Sequence, residues 1–371
     1  MIYLDNAATT RVFDSVVKEM ERYYSEEYFN PSALYSPAFE VVKKIAAARA
    51  YLCDKLGGGG KLYFTSCATE SNAWVYNCGV KNKKGNILVS MGEHASGYEN
   101  ARALADKGFD VRFVKLCADG TVDISDYQSK LDENTTLASV IHCSNETGAI
   151  NDIALLSRIA KQISPRCLFH SDGVQAFCKI DVNCEHAGID LYSLSAHKIG
   201  GPKGIGALWV RDGIRIAPFI IGGGQEEGER SGTENVAAIM GFCQAAKDFS
   251  AFDGGQIFAL RQRMKKALED IKDAVFNEAS EQSPYILSLS IAGIKAEVLQ
   301  RKLADKGILI GLGSACSSRL KKNRVLSAMG RDMRQIEGNV RIGFGVCNLS
   351  DDMDSVAKTI KECVEELRWK K

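Results

Sequence analysis

The segment "SLSAHKIGG", residues 193–201, places Lys198 directly after a histidine and close before two glycines, at the end of a β-like run. An amine there is either one more charge among 47 lysines and arginines or a group positioned to react. Other apolar runs end in the same way. "KLYFTS" leads into Cys67, Ala68, Thr69, Glu70 and Ser71. "GNILVS" leads into "MGEHAS", with His94. "LASVIHC" leads into "SNETG", with Asn145. "CLFHS" leads into Asp172 and Gln175, and "DLYSL" into Ser195, His197 and Lys198. Singly each is a weak signal. Hydroxyls, imidazoles, amides, a carboxylate and an amine at five strand ends form a collective one.

These residue types share a chemical logic. Small hydroxyls at a helix N-terminus suit a phosphate, because free N–H groups and the helix dipole both attract an anion. An aspartate suits a ring nitrogen that must stay protonated. An imidazole can stack on a flat ring. A lysine condenses with an aldehyde to form an imine. Together these are the requirements of pyridoxal phosphate.

Such convergence needs a scaffold. Between residues 60 and 210 strand-like runs alternate with helical ones. A helix is predicted from Glu70, another over "SGYENARALADKG" ending on Gly108, and a third over "IALLSRIAKQI". The strands are "KLYFTS", "GNILVS", "FDVRFVKL", "TTLASVIHC", "RCLFHSD", "DLYSLSA" and "GIGALWV". This alternation predicts a mostly parallel sheet covered on both faces, with ligands beyond its carboxyl edge. The composition changes near "DFSAFDGGQ", residues 248–256. Beyond it, "YILSLSIAGI", "KAEVLQRKLADKG", "ILIGLGSACSS" and "GNVRIGFG" predict a smaller α/β unit. Its last helix starts at Met353 and sets Met353, Val356, Ile360, Cys363, Val364 and Leu367 on one stripe. "GGGG" at 57–60 is expected to be a flexible turn.

The bulk numbers narrow the class. With 371 residues the chain can bury a large core and is expected to form two domains. A formal net charge of +1 gives no reason to expect nucleic acid or an anionic membrane as partner. No apolar run has membrane-span length, and "MIYLDNAATTRVFD" lacks the pattern of a signal peptide, so a cytoplasmic location is expected. Twelve cysteines are scattered without zinc-ligand spacing, so no metal site is expected and most should be free thiols.

The chain resembles the cysteine desulfurases of class V of the pyridoxal-phosphate-dependent aminotransferase superfamily, the NifS/IscS-like group. The likeness runs nearly end to end, through "YLDNAATT", "FTSCATESN", "EH", "NETG", "HSDGVQ", "SLSAHKIGGPKGIGAL", "GGGQEEGERSGTEN", "GSACSS" and "VRIGFG". The resemblance implies the aspartate aminotransferase-like fold, fold type I. Residues 12–250 would form a large cofactor-binding domain. Residues 1–11 and 251–371 would form a small domain carrying a mobile cysteine loop. It implies that Lys198 carries pyridoxal phosphate as a Schiff base and that Asp172 pairs with the pyridine nitrogen. Gln175 and Asn145 reach the ring-hydroxyl side, and His94 stacks on the ring and also moves protons. Ala68, Thr69, Ser195 and His197 hold the phosphate. Thr233 would reach the phosphate of a partner subunit, which implies a homodimer. Asn6, Asn145 and Arg341 bind the substrate amino acid, with Arg341 forking onto its carboxylate. Cys316, within "GLGSACSSRLKKNR", matches the nucleophile that takes sulfur from L-cysteine. L-Alanine leaves and a persulfide stays, for delivery to an iron–sulfur scaffold or a tRNA-thiolation enzyme.

The chain departs from the family pattern in three places. Cys67 stands where Gly usually precedes "ATES", either as a tolerated small residue or as a second functional thiol. At this position the helix dipole would lower a thiol pKa and a phosphate would raise it. Glu227 and Glu229 stand where relatives commonly carry arginines, while Arg230 is kept. The loop reads "CSSRLKKNR" where many relatives have a Gly and a Pro-Ser-His stretch. Other activities stay open at this point: a selenocysteine lyase, a transaminase, or a non-catalytic sulfur-carrier scaffold. "GSACSS" argues against a transaminase, which needs no cysteine. Lys198, Asp172 and Cys316 together argue against a scaffold.

Overall fold

Fully apolar strands such as "NILVS" and "LYSLS" are buried on both faces, and they form the middle of a large sheet. The computed structural model describes residues 1–78, 85–313 and 323–369. Its strands are β1 (Ile2–Leu4), β2 (Gly60–Thr65), β3 (Asn86–Ser90), β4 (Asp110–Val114), β5 (Thr135–Ser139) and β6 (Leu168–Asp172). They continue as β7 (Leu191–Ser195), β8 (Gly206–Arg211), β9 (Ala274–Phe276), β10 (Ile286–Ile291), β11 (Ile308–Leu312) and β12 (Asn339–Gly343). The seven-stranded sheet runs β2-β8-β7-β6-β5-β3-β4. It is parallel from β7 to β4 and antiparallel where β8 pairs with β7 and β2. The expected mostly parallel α/β sheet is present.

Successive strand residues point to opposite faces, and the burial follows that rule. Tyr63, Ile87, Val89, Leu137, Leu191, Leu208 and Val210 join one apolar cluster with Trp74, Val75 and Ala101 of the helices Ala68–Cys78 and Ala95–Asp106. Leu62, Phe64, Leu88, Ala138, Phe169, Tyr192 and Trp209 join the main core on the other face.

A five-stranded sheet runs β1-β11-β12-β10-β9. β1 pairs parallel with β11, and Asp5 bridges to Gly343, so the N-terminus closes over the end of the second sheet. The last helix, Asp352–Trp369, buries Met353, Val356, Ile360, Cys363 and Val364 as its stripe predicts. Several boundaries differ from expectation by a few residues, two of them with a visible cause. The helix expected from Glu70 starts at Ala68, because the Cys67 carbonyl accepts the Glu70 and Ser71 N–H groups at 3.0 and 3.2 Å. The strand in "TTLASVIHC" stops at Ser139; two residues on, the Ile141 N–H turns to Glu93 Oε1 at 2.5 Å. The helices Asp14–Ser25 and Ser36–Asp54, which pack on Val236–Phe249, were not anticipated.

Candidate active site

Strands β2, β3, β5, β6 and β7 end around a cavity of about 480 Å³. Its lining includes Cys67, Ala68, Thr69, His94, Asn145, Asp172, Gln175, Ser195, His197, Lys198 and Arg341. Most of the residues singled out from five strand ends therefore face one space, and Arg341 reaches it from β12 of the second sheet.

Lys198 ends the 3₁₀ turn Ala196–Lys198 after β7. Its ammonium donates to the carbonyls of Ala7 and Ala8 at 2.7 and 2.5 Å. Burial lowers its pKa to about 7, with the Lys179 and Arg341 cations pushing the same way and Asp5 and Asp172 opposing. An amine that loses its proton near neutrality can act as nucleophile and base. Asp172 is buried and held by two donors: Val174 N–H at 3.0 Å and Asn72 Nδ2 at 2.8 Å. Gln175 donates from Nε2 to the Ala7 carbonyl at 2.9 Å, and its Oε1 accepts from Lys179 at 3.2 Å.

His94 caps the helix Ala95–Asp106, with Nδ1 accepting the Ser96 N–H at 3.2 Å. Burial lowers its pKa, so the neutral imidazole is favoured. His197 Nδ1 meets Thr9 Oγ1 at 3.1 Å, and burial together with the neighbouring lysines lowers its pKa to about 3. Asn145 donates to Glu146 Oε1 at 2.9 Å. Arg341 donates to the Asn145 carbonyl at 2.6 Å and to Asp5 at 3.2 Å, while its buried Nε has no partner in the structure.

Two expected residues stand apart from this cavity, and a third lies outside the described residues. Asn6 does not line it; its amide donates to the Gly343 carbonyl at 2.9 Å, held there by the closure of β1 over the second sheet. Thr233 lines a separate cavity of about 200 Å³ with Ser66 and Arg230. Arg230 forks onto Glu70 at 2.6 and 3.0 Å, and Glu70 also accepts the Ser66 N–H. Cys316 lies outside the described residues; the last described residue before it, Gly313, lines the Lys198 cavity. Of the two departures from the family's arginines, Glu227 pairs with Lys61 at 2.5 Å, and Glu229 Oε2 is buried without a partner.

Four site residues escaped the sequence analysis: Asn72, Ser96, Glu146 and Lys179. Helical spacing carried a signal for one of them: Asn72 lies four residues after Ala68 on a helix and so shares its face.

The residues present fit pyridoxal phosphate. A buried carboxylate shares the cavity with an amine that can lose its proton near neutrality. The Ala68 and Thr69 N–H groups, at the start of the helix Ala68–Cys78, have no acceptor within it. The unpartnered Arg341 Nε leaves a donor for a further acceptor.

The chain belongs to the class-V aminotransferases, whose family pattern it matches over residues 2–356. It is 37% identical to cysteine desulfurase IscS 1 of Archaeoglobus fulgidus, over 99% of this chain and 98% of that one. It is 36% identical to the mitochondrial cysteine desulfurase of Candida albicans, over 99% of this chain and 77% of that one. A solved NifS-like protein superposes with a TM-score of 0.91 at 34% identity, covering 99% of this chain and 100% of that one.

Proposed function

We propose that the chain is a pyridoxal-phosphate-dependent cysteine desulfurase, converting L-cysteine to L-alanine and leaving the sulfur as a persulfide on Cys316. The observation that carries this is the pair of Lys198 and Asp172 in one cavity, the amine poised to lose its proton near neutrality.

Ala68, Thr69, Ser195 and His197 would hold the cofactor's phosphate. Asp172 would hold the ring nitrogen, Gln175 and Asn145 the ring-hydroxyl side, and His94 the ring face. When bound, the cofactor supplies an electron sink for the substrate's α-carbon. Arg341 binds the substrate carboxylate, with its unpartnered Nε as the free donor. Lys198 accepts the α-proton. The Cys316 thiolate takes the sulfur as the substrate's C–S bond breaks, the β-carbon takes a proton, and alanine leaves.

A homodimer accounts for Thr233, which sits with Arg230 away from its own Lys198 and would serve the phosphate of the second subunit. Residues 12–250 act as the large domain, and 1–11 with 251–371 as the small one. The sulfur acceptor is an iron–sulfur scaffold or a tRNA-thiolation enzyme. No described helix is long and apolar enough to cross a membrane. The cysteines of the described residues are unpaired, as in a reducing cytoplasm. The test is turnover of L-cysteine with a thiol reductant. Sulfide and alanine should appear in equal amounts, and cysteine consumption without alanine would refute the assignment.

A further inference from the structure

His94 lies beside Lys198 and is the obvious competitor for the role of base. Its hydrogen bonds decide what it can offer. Nδ1 meets two groups of Ser96, the backbone N–H at 3.2 Å and the hydroxyl at 2.8 Å. The backbone N–H only donates, so Nδ1 must present a lone pair to it. The hydroxyl points the same way. Ser96 Oγ also meets Asn72 Nδ2 at 2.8 Å, and that same nitrogen meets Asp172 Oδ2 at 2.8 Å.

The orientation of the Asn72 amide follows from Asp172. A carboxylate oxygen accepts, so the amide nitrogen must face it. The opposite orientation would set two acceptor oxygens against each other. Asn72 then spends one N–H on Asp172 and the other on Ser96. With an acceptor site taken by Asn72, the Ser96 hydroxyl gives its own hydrogen to His94. All three links fix the imidazole proton on Nε2.

We infer that Ser96 and Asn72 are positioning residues that hold His94 as the neutral Nε2–H tautomer, so that His94 offers a hydrogen-bond donor and leaves proton abstraction to Lys198. The groups around His94 do not upset this balance. Asp172 and Glu146 favour its charged form, Lys198 and Arg324 oppose it, and burial outweighs them all. In this tautomer the only lone pair of the ring is engaged at Ser96. The role given to Lys198 rests on the function proposed above; the tautomer does not.

The test is a two-bond ¹H–¹⁵N correlation spectrum of the full-length chain labelled with [¹⁵N]histidine, before pyridoxal phosphate is added. The chain has five histidines, and His94→Gln identifies the signal. Nδ1 of His94 should resonate as an unprotonated nitrogen and Nε2 as a protonated one. Ser96→Ala removes the hydroxyl's bond and keeps the backbone N–H, so it should shift the Nδ1 signal while Nδ1 stays unprotonated, and Ser96→Thr should restore the original position. A protonated Nδ1 in the unaltered chain would overturn the inference. So would a Ser96→Ala spectrum identical to it at His94.

Discussion

Lys198 Nζ donates to the Ala7 carbonyl at 2.7 Å, across 191 positions of sequence, and Gln175 Nε2 shares the same carbonyl at 2.9 Å. Pairing of β1 with β11 carries Ala7 to this point. The resting position of the amine therefore depends on strands from both sheets: β7 delivers Lys198, and the second sheet delivers its acceptor.

Replacing Lys198 by Ala removes the one lysine among the described residues that line the cavity, the group that forms an imine with the cofactor aldehyde. The purified variant should lack the visible absorption band of a lysine-linked cofactor and should make no alanine from cysteine. Normal turnover by Lys198→Ala would end the assignment of this lysine.

Lys179 tunes that amine. It donates to Gln175 at 3.2 Å, lies 5.3 Å from the Tyr285 ring centroid, and has its own pKa lowered to about 8 by burial, with Cys143 and Cys178 opposing. Burial is the main cause of the low Lys198 pKa, and the Lys179 cation is the next. The sign follows directly. A nearby cation disfavours the ammonium, so removing it raises the Lys198 pKa, and the amine stays protonated to a higher pH. Lys179→Met should cut the neutral fraction of Lys198 near pH 7, by about fivefold for a rise of one pKa unit from about 7. Competitive acylation of the cofactor-free chain, quantified on the Lys198 peptide, measures it. A labelling profile that does not move toward higher pH would show that burial alone sets the shift.

The strand ends were legible because apolar runs mark the sheet interior, and polar residues after them can only lie at its edge. His94, Asp172 and Lys198 were found in that way. Asn72 and Ser96 were not, because each acts through another residue and neither follows a strand directly. Arg341 was named through the family motif "VRIGFG". Its side chain is committed to Asp5 and the Asn145 carbonyl, contacts that join β12 to distant chain and leave no local trace. The helices Asp14–Ser25 and Ser36–Asp54 carry exposed apolar residues such as Val17, Tyr24, Phe39 and Val42, which blurs the periodicity that would have marked them.

Sulfur transfer can be separated from cofactor chemistry at Cys316. Cys316→Ser leaves Lys198, Asp172 and Arg341 in place, so the cofactor's absorption and its response to added cysteine should persist. Alanine release should fall by roughly 10²-fold or more, the cost of losing a positioned nucleophile. Alanine formed at the normal rate would mean that a different thiol receives the sulfur.

Cys67 is the thiol to examine in that event, since the residue lines the cavity that holds Lys198. Its position also has a purely structural account. The Cys67 carbonyl accepts the first bonds of the helix Ala68–Cys78, and its own backbone lies tight against β8. A Cβ built on Gly206 would fall 2.6 Å from the Cys67 carbonyl carbon and 2.8 Å from Ala68 N. Small residues fit such a helix start, and glycine there typically costs only a few tenths of a kcal/mol relative to a good cap. Cys67→Gly should therefore bind pyridoxal phosphate normally and turn over cysteine within about threefold, because no transition-state contact is lost. Without an acceptor present, cysteine should leave sulfur on the Cys316 peptide alone when trapped persulfides are mapped by mass spectrometry. A persulfide on the Cys67 peptide, together with slowed release in Cys67→Gly, would establish a two-thiol relay in place of a single carrier.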